Sequence, residues 1–207
     1  MAFWNDPIVE RSHAILLDLK GQFDFTLIGG WAVYLYTRAL KSKDIDLIVD
    51  HATLSRMMGT MSVSKNARLR KYESDAGGVS IDIYLPHYSK LAVPPEDIQK
   101  ATTVIDGFRV PALEMLLAMK QLAELERRAS VKGMKDRVDI LSILLCGGVD
   151  TGKYARLLQK YRLDYLDRLR TIVVEANDEF DYLGFKDLRE VKKKRKALLE
   201  KIEAGRG

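Results

Sequence analysis

Three aspartates in two short apolar segments are the residues whose types and spacing best support chemistry. Asp44 and Asp46 are separated by one residue, and Asp82 is the one acid within the apolar run Val79–Leu85. Residues two apart on a β-strand point to the same face, and an acid on a neighbouring strand can join them. Crowded carboxylates repel one another unless a cation lies between them. The pattern therefore predicts a divalent-cation site.

The available ligand types indicate which cation and which substrate group this site would take. Oxygen ligands, with no His or Cys nearby, favour Mg²⁺ or Mn²⁺ over zinc. Gly29 and Gly30 open a predicted helix that lies between them and Asp44 in the sequence. The first backbone N–H groups of such a helix can bind a phosphate. Together these features predict metal-assisted phosphoryl chemistry. An edge strand with a solvated acidic face is the alternative explanation.

Hydrophobic periodicity predicts the elements that position these residues. Alternation predicts strands over Asp44–Val49 and Val79–Leu85, and helical spacing predicts a helix over Gly29–Leu40. Asp106-Gly107 lies at the centre of a predicted hairpin over Thr102–Val110. The remaining predictions are helices over Pro7–Lys20, His51–Met61, Pro111–Arg128, Lys132–Cys146, Thr151–Tyr161, Leu163–Ala176 and Lys186–Ala204, strands over Asp24–Ile28 and Ala67–Tyr72, and a turn over Asp75–Gly78.

The character of the chain changes near Val110. Strands and helices are mixed before this residue, and only helices are predicted after it. This order predicts an α+β fold class. We expect an αβ core over residues 1–110, followed by an all-helical part with a basic C-terminal helix over residues 111–207.

Composition and cysteine content bear on where the protein works. No run of about 18 apolar residues exists, so no membrane span is predicted. The first residues lack the basic and apolar regions of a secretory signal. The single cysteine, Cys146, lies in an apolar run and is predicted to be a core residue of a protein from a reducing compartment. We therefore expect a cytoplasmic protein.

The net charge of +5 is concentrated at the end of the chain. Residues 186–207 contain nine Lys or Arg and four Asp or Glu, which accounts for the whole excess. Lys192–Lys196 is an unbroken basic run and a candidate contact for nucleic acid. A solvated helix end is the alternative, because basic side chains are favourable near a helix C-terminus.

The acidic motif resembles that of the nucleotidyltransferase superfamily that includes the DNA polymerase beta type. Its signature is a hydrophobic residue and Gly-Gly opening a helix, then Asp-x-Asp on a strand, then a third acid on a later strand. The matching residues here are Ile28-Gly29-Gly30, Asp44-Ile45-Asp46 and Asp82. Many members have Ser or Thr directly after the glycines, whereas this chain has Trp31, which removes a hydroxyl contact to the phosphates.

The second half resembles the helical part of the abortive-infection and toxin-type nucleotidyltransferases. The segments that carry the resemblance are Pro111–Lys120, Arg127-Arg128 and Lys135–Asp139. In that group the nucleotide cleft is lined by a lysine on the first helix and by a Lys-Asp pair near the second helix. The corresponding residues here would be Lys120, Lys135 and Asp136. The alternatives are a snorkelling Lys120, an i,i+4 surface pair of Lys135 with Asp139, and a solvated Asp136.

The resemblance implies a nucleotidyltransferase-type mixed sheet with flanking helices in the first part of the chain. It also implies transfer of a nucleoside monophosphate from a nucleoside triphosphate to a hydroxyl group. Asp82 would complete the metal site and is a candidate proton acceptor. Arg38 and Lys43 lie between the glycines and the first acid, so they are candidate nucleotide contacts. The implied metal ligands are Asp44, Asp46 and Asp82, and the implied phosphate contacts are Gly29, Gly30 and Lys120.

The acceptor of the nucleotide is open at this stage. An RNA 3′ end, a protein Ser or Tyr and a small molecule such as an aminoglycoside are all candidates, and the toxin-type resemblance favours a tRNA 3′ end. One alternative to an enzyme is a regulatory module that binds nucleotide without turnover, as half of a toxin–antitoxin pair with a cognate antitoxin. The other alternative is an RNA-binding protein that uses its basic C-terminal end.

Overall fold

The structure is a computed structural model that describes residues 6–205. The chain divides into two compact units, one ending at Ala112 and the other beginning at Leu113. Within the described residues the first unit mixes strands and helices and the second is helical, which confirms the predicted α+β fold class. Residues 1–5, which belong to the segment predicted not to be a secretory signal, lie outside the described range. None of the helices within residues 6–205 has the length and hydrophobicity that a membrane span needs.

The first unit is built on one mixed sheet, which has seven strands within the described residues. The strand order is β3-β4-β5-β2-β1-β7-β6. The pairs β2–β5 and β1–β7 are parallel, and the other neighbours are antiparallel. The strands are β1 (Thr26–Ile28), β2 (Ile45–Ile48), β3 (Ser64–Asn66), β4 (Lys71–Ala76), β5 (Val79–Tyr84), β6 (Thr102–Ile105) and β7 (Phe108–Pro111), and the helices are α1 (Asp6–Gln22), α2 (Gly29–Thr37), α3 (His51–Thr60) and α4 (Pro95–Ile98).

Alternating burial explains why the two acidic segments form central strands. Ile45 and Leu47 of β2 are completely buried, whereas Asp46 between them is only partly buried. Ile81 and Ile83 flank Asp82 on β5 in the same way. The apolar residues thus point into the core on one face, and the acids share the other face.

Trp31 has a structural role that explains its position after the glycines. Its side chain is almost completely buried, and its indole N–H donates a hydrogen bond of 2.9 Å to Ser12 Oγ of α1. Its ring also stacks on His13 at a centroid distance of 5.3 Å. This residue therefore anchors α2 to α1 in the core.

The strand predicted over Ala67–Tyr72 is wrong at Ala67–Arg70, whereas Lys71 and Tyr72 begin β4. These residues include a turn between β3 and β4, in which the side chain of Asn66 accepts a hydrogen bond from the Leu69 N–H at 3.0 Å. Arg70 adopts a left-handed conformation with φ of 52°. Such side chain-to-backbone bonds allow a turn where an alternating pattern suggests a strand. The turn predicted over Asp75–Gly78 is present but shorter, because β4 continues to Ala76 and the chain turns at Gly77-Gly78.

The second unit packs its helices around a core from α5 and α6. Short connections and Asp or Ser caps define the helix starts: the side chains of Ser130, Asp150 and Asp187 each accept a backbone N–H at an N-terminus. Cys146 follows α6 directly and is exposed, so the prediction of a core cysteine is wrong. The helices are α5 (Leu113–Arg127), α6 (Val131–Leu145), α7 (Thr151–Tyr161), α8 (Leu166–Glu175), α9 (Asp178–Tyr182, not predicted) and α10 (Leu188–Ala204).

Candidate active site

A row of carboxylates crosses three adjacent strands of the sheet. Asp46 of β2 lies directly opposite Asp82 of the parallel strand β5. Asp82 in turn lies opposite Glu73 of the antiparallel strand β4. Adjacent strands are about 4.8 Å apart and directly opposed side chains share a face. Because like charges in opposed positions destabilise a sheet, this row requires a cation nearby.

Lys71 supplies one such cation from within the protein. Its Nζ lies 2.6 Å from Asp82 Oδ2 and 2.9 Å from Glu73 Oε1. Burial alone would lower the pKa of the Lys71 ammonium, but its bonds to Asp82 and Glu73 outweigh burial and raise that pKa above its ordinary value. Lys71 is therefore charged at neutral pH.

Lys71 and Glu73 were not among the site residues predicted from the sequence. Their two-residue spacing shows that they share a face of one strand. The Gly77-Gly78 turn that joins this strand to β5 is a local hairpin signal, and it places Lys71 and Glu73 beside the strand that carries Asp82.

Gly29 lies directly against the carboxylate of Asp46. Ile28, the residue before it, pairs with Asp46 in the β1–β2 ladder. Gly29 has φ of +67°, and a Cβ atom there would lie only 2.0 Å from Asp46 Oδ2. The absence of a side chain thus makes room for Asp46 at the N-terminus of α2. The side chain of the N-cap residue, Ile28, makes no capping hydrogen bond, which suits a helix N-terminus that receives a phosphate.

The carboxylates of the first unit offer a small donor set for the Mg²⁺ predicted from the sequence. Among residues 6–205, no group of three or more His, Cys, Asp or Glu side chains is arranged to hold a metal ion. Asp44 lies in a bend just before β2, so the strand alternation that aligns Asp46 does not extend to Asp44. The opposed pair of Asp46 and Asp82 remains. Mg²⁺ is commonly held by one or two carboxylates together with substrate phosphates, and this pair fits that mode.

The other predicted nucleotide contacts of the first unit lie in different places. Gly30 is buried in the first turn of α2, next to Gly29. Arg38 lies at the opposite end of α2, roughly 13 Å along the helix axis. Its guanidinium pairs with Asp106 at 2.6 Å, and both side chains are about half exposed. Lys43 is partly buried in the segment that leads to the Asp44 bend.

The predicted residues of the helical unit are brought together as a buried ion cluster. Lys120 of α5 donates to Asp139 of α6 at 2.6 Å and approaches Asp136 at 3.5 Å. Lys135 donates to the same Asp139 at 3.1 Å. Arg127 forms a two-bond contact with Asp136 at 2.7 and 3.0 Å. The two lysines and both aspartates are buried, so the alternatives of a surface pair and of a solvated Asp136 are wrong.

The electrostatics of this cluster depend on Asp139. Burial acts to raise the pKa of the Asp139 carboxyl, but Lys120 and Lys135 outweigh burial and hold that pKa below its ordinary value. Burial lowers the pKa of Lys135, and the charge of Lys120 lowers it further against the opposing effect of Asp139. The Oδ1 atom of Asp139 is buried and has no hydrogen-bond partner within residues 6–205. Asp139 therefore compensates two buried ammonium groups.

Gly29→Ala is expected to lower the free energy of unfolding by about 2–4 kcal/mol, because it adds a left-handed alanine and a steric clash. The new Cβ also forces the Asp46 carboxylate out of its position. Urea unfolding followed by circular dichroism measures the loss.

Gly77→Ala is the matched control for this substitution. Gly77 has a similar φ of +61°, and its added Cβ would have an ordinary contact of 3.6 Å with Arg11 Cδ. The control should lower the free energy of unfolding by only about 1–2 kcal/mol, which is the cost of placing alanine in a left-handed backbone conformation. Equal losses in the two variants would contradict the close approach of Gly29 and Asp46.

Comparisons with known proteins identify the fold to which this geometry belongs. No protein-family model and no curated protein matches the sequence. Among solved structures, JHP933 from Helicobacter pylori is similar with a TM-score of 0.54 and 13% identity, covering 97% of this chain and 95% of that one. The antibiotic-resistance factor ANT(2″)-Ia in complex with adenylyl-2″-tobramycin is similar with a TM-score of 0.51 and 18% identity, covering 74% of this chain and 96% of that one. Its solution structure has a TM-score of 0.51 and 16% identity, covering 82% and 96%.

The fold is the nucleotidyltransferase fold. It agrees with the fold predicted from the glycine pair and the three aspartates. At these identities the similarity establishes the fold alone. In this nucleotidyltransferase fold, the first unit contains the Gly29-Gly30 helix start and the Asp46–Asp82 pair. The second unit contains the buried ion cluster around Lys120.

Proposed function

We propose that the protein transfers a nucleoside monophosphate from a nucleoside triphosphate to a hydroxyl acceptor. The observation that carries this proposal is the alignment of Asp46 with Asp82 on adjacent strands, beside a helix that begins at a glycine pressed against Asp46. Carboxylates next to a helix N-terminus suit a triphosphate that arrives with Mg²⁺ or Mn²⁺. The proposed metal ligands are Asp46 and Asp82, and Asp44, in the bend before β2, is a weaker candidate.

The proposed reaction is a displacement at the α-phosphorus. The acceptor oxygen forms a bond to this phosphorus, the bond from the phosphorus to the α,β-bridging oxygen breaks, and pyrophosphate leaves. The hydroxyl proton passes to the carboxylate of Asp82, whose other oxygen is held by Lys71. When bound, the metal ion polarises the phosphoryl group and neutralises the charge of the triphosphate.

The remaining residues of the proposal bind phosphates. The first-turn N–H groups of α2, at Gly29 and Gly30, would contact the triphosphate. Lys120, with Lys135 and Asp136, is proposed as a nucleotide contact on the toxin-type resemblance. In the structure the Lys120 ammonium is bonded to Asp139, so contact with a phosphate requires it to exchange this partner. Arg38 and Lys43 are weaker candidates for the same role.

The acceptor class is proposed as RNA, with a tRNA 3′ end favoured by the toxin-type resemblance. ANT(2″)-Ia, which shares the fold, was solved with adenylyl-2″-tobramycin, so a small-molecule hydroxyl is the competing acceptor. The toxin-type resemblance also leads us to propose a cognate antitoxin as a partner of the protein.

The test is transfer of label from each of the four NTPs, labelled at the α-phosphorus, in the presence of Mg²⁺. Total RNA, total protein and tobramycin are offered in separate reactions. We expect one acceptor class to gain label with release of an equal amount of pyrophosphate, and EDTA to stop both. Label at the γ-phosphorus should appear only in pyrophosphate. Absence of both acceptor labelling and pyrophosphate release with every NTP would overturn the proposal.

Nucleotide binding without turnover is the second candidate function. It is favoured by one observation: the Lys71 ammonium already compensates Asp82 and Glu73, the position where a cation would assist transfer. Saturable NTP binding by calorimetry, without pyrophosphate release, would favour this candidate over transfer.

A further inference from the structure

The basic run at the end of the chain does not lie where helix electrostatics would favour it. Helix α10 spans Leu188–Ala204, so Lys192–Lys196 occupies its second and third turns. The last two turns contain two acids, Glu200 and Glu203, and one basic residue, Lys201. Basic residues are stabilised by the helix dipole only near the C-terminus. The helix dipole therefore does not account for the basic run, although Lys192, Lys193 and Lys196 are solvated as that explanation expects.

Four basic residues of α10 form one exposed line, which we call the basic stripe. Arg189, Lys192, Lys193 and Lys196 have the spacing i, i+3, i+4 and i+7, which places them on one helix face. All four are exposed. The stripe extends along roughly 10 Å of the helix axis. Like charges at this spacing destabilise a helix, so the stripe is unfavourable for α10 by itself.

The cations of the basic stripe are poorly compensated. Within residues 6–205, no ion pair involves Arg189, Lys192 or Lys193. Lys196 has only a long contact of 3.8 Å with Glu200. The neighbouring Arg195 differs, because its guanidinium donates to the Val173 and Ala176 carbonyls at the end of α8.

The chemistry of the surroundings indicates what would compensate the stripe. A membrane-surface helix needs a free apolar face, but the apolar face of α10 is already packed in the helical unit through Val191, Leu198 and Ile202. A protein interface needs a cluster of apolar or aromatic anchors. Leu188 is the one strongly exposed large apolar side chain among the described residues of α10. A line of cations with little apolar surface suits a phosphodiester backbone.

We propose that the basic stripe binds the backbone of single-stranded RNA. A straight duplex along α10 would pass from the stripe to the acidic residues Glu200 and Glu203, which repel it, whereas a flexible strand can turn away from them. A cleft of about 590 Å³ lies beside the stripe and has a mixed lining: Arg170, Lys192, Arg195, Lys196, Leu199, Glu200 and Glu203. Because two acids line it, this cleft suits a base of the bound strand better than a phosphate. The proposal goes beyond nucleotidyl transfer and does not depend on it, since RNA binding is measured without NTP.

The test is fluorescence anisotropy with a labelled 20-nucleotide RNA of mixed sequence, titrated with the full chain at several salt concentrations. The stripe variant is Arg189→Gln/Lys192→Gln/Lys193→Gln. The matched control, Lys153→Gln/Arg156→Gln/Lys201→Gln, removes the same charge from other exposed positions of the helical unit. Circular dichroism checks that both variants fold. Duplex DNA of the same length and vesicles with acidic headgroups are the competing ligands.

The stripe variant is expected to bind RNA at least tenfold more weakly than the control at 50 mM salt. The slope of log K against log salt should fall by about two, since each phosphate contact on a single strand contributes about 0.7 to it. The control should bind within about threefold of the natural chain. No RNA binding by the natural chain, equal weakening in both variants, or a preference for duplex DNA or vesicles would overturn the proposal.

Discussion

Asp46→Asn is expected to reduce nucleotidyl transfer by about 10³-fold or more, because it removes a charged group that acts where charge develops in the transition state. The amide has nearly the same volume as the carboxylate, so the contact with Gly29 and the β2 register should persist. The amide carries no negative charge, so it does not compensate a metal ion beside Asp82. The labelling assay with α-labelled NTP measures the loss.

Asp24→Asn is the control for this change. Asp24 is also in the first unit, but its side chain is largely exposed and pairs with Arg109 near the surface. The chemical change is identical, and we expect full activity because an exposed pair contributes little. Transfer by Asp46→Asn at the rate of this control would exclude the proposed role of Asp46.

Asp139→Asn is expected to lower the free energy of unfolding by about 3–5 kcal/mol, because it leaves buried charges without their partner. Asp139 is completely buried and accepts from both Lys120 and Lys135. Without its charge, two buried ammonium groups face each other with only Asp136, already engaged by Arg127, to oppose them. Urea unfolding at neutral pH measures the loss.

The pH dependence of this loss has a definite sign. In the folded chain the pKa of Lys135 is already below its ordinary value of 10.5, and loss of Asp139 lowers it further. A lysine with a depressed pKa in the folded state binds fewer protons there than in the unfolded chain, so stability rises with pH. The deficit of Asp139→Asn should therefore be largest near neutral pH and shrink as pH rises towards 10.5.

Lys120→Met separates charge balance from the loss of a side chain. It removes one of three basic groups and leaves Lys135 and Arg127 to match the two aspartates. We expect it to be less destabilising than Asp139→Asn, and the double variant to be more stable than the sum of the single losses predicts. A larger loss in Lys120→Met would contradict this account of the cluster. A folded Lys120→Met with a raised KM for NTP would support the proposed phosphate contact.

Much of the first unit could be predicted from residue patterns. The alternation around Asp46 and Asp82 indicated two strands, and the Gly-Gly pair indicated the start of α2. The hairpin around Asp106-Gly107 is also confirmed. These are local signals, in which the period of the apolar residues and the turn chemistry agree.

Features that depend on long-range pairing could not be predicted. The position of Asp46 opposite Asp82 follows from the parallel pairing of β2 with β5, which are far apart in the chain. Lys71 differs, because β4 meets β5 in a local hairpin. Asp44 shares the spacing of its strand but lies in a bend before it. Asp139 looked like half of a surface i,i+4 pair, because charged residues in amphipathic helices are usually solvated. Its burial results from the packing of α5 on α6.

The central claim is that Asp46 and Asp82 hold a cation together with a triphosphate. A crystal structure with Mg²⁺ and a non-hydrolysable NTP analogue tests it most directly. We predict metal density in contact with both carboxylates and with phosphate oxygens, and phosphates beside the N–H groups of Gly29 and Gly30. Carboxylates without metal density, with Lys71 still bonded to Asp82 and no triphosphate at the start of α2, would contradict the account.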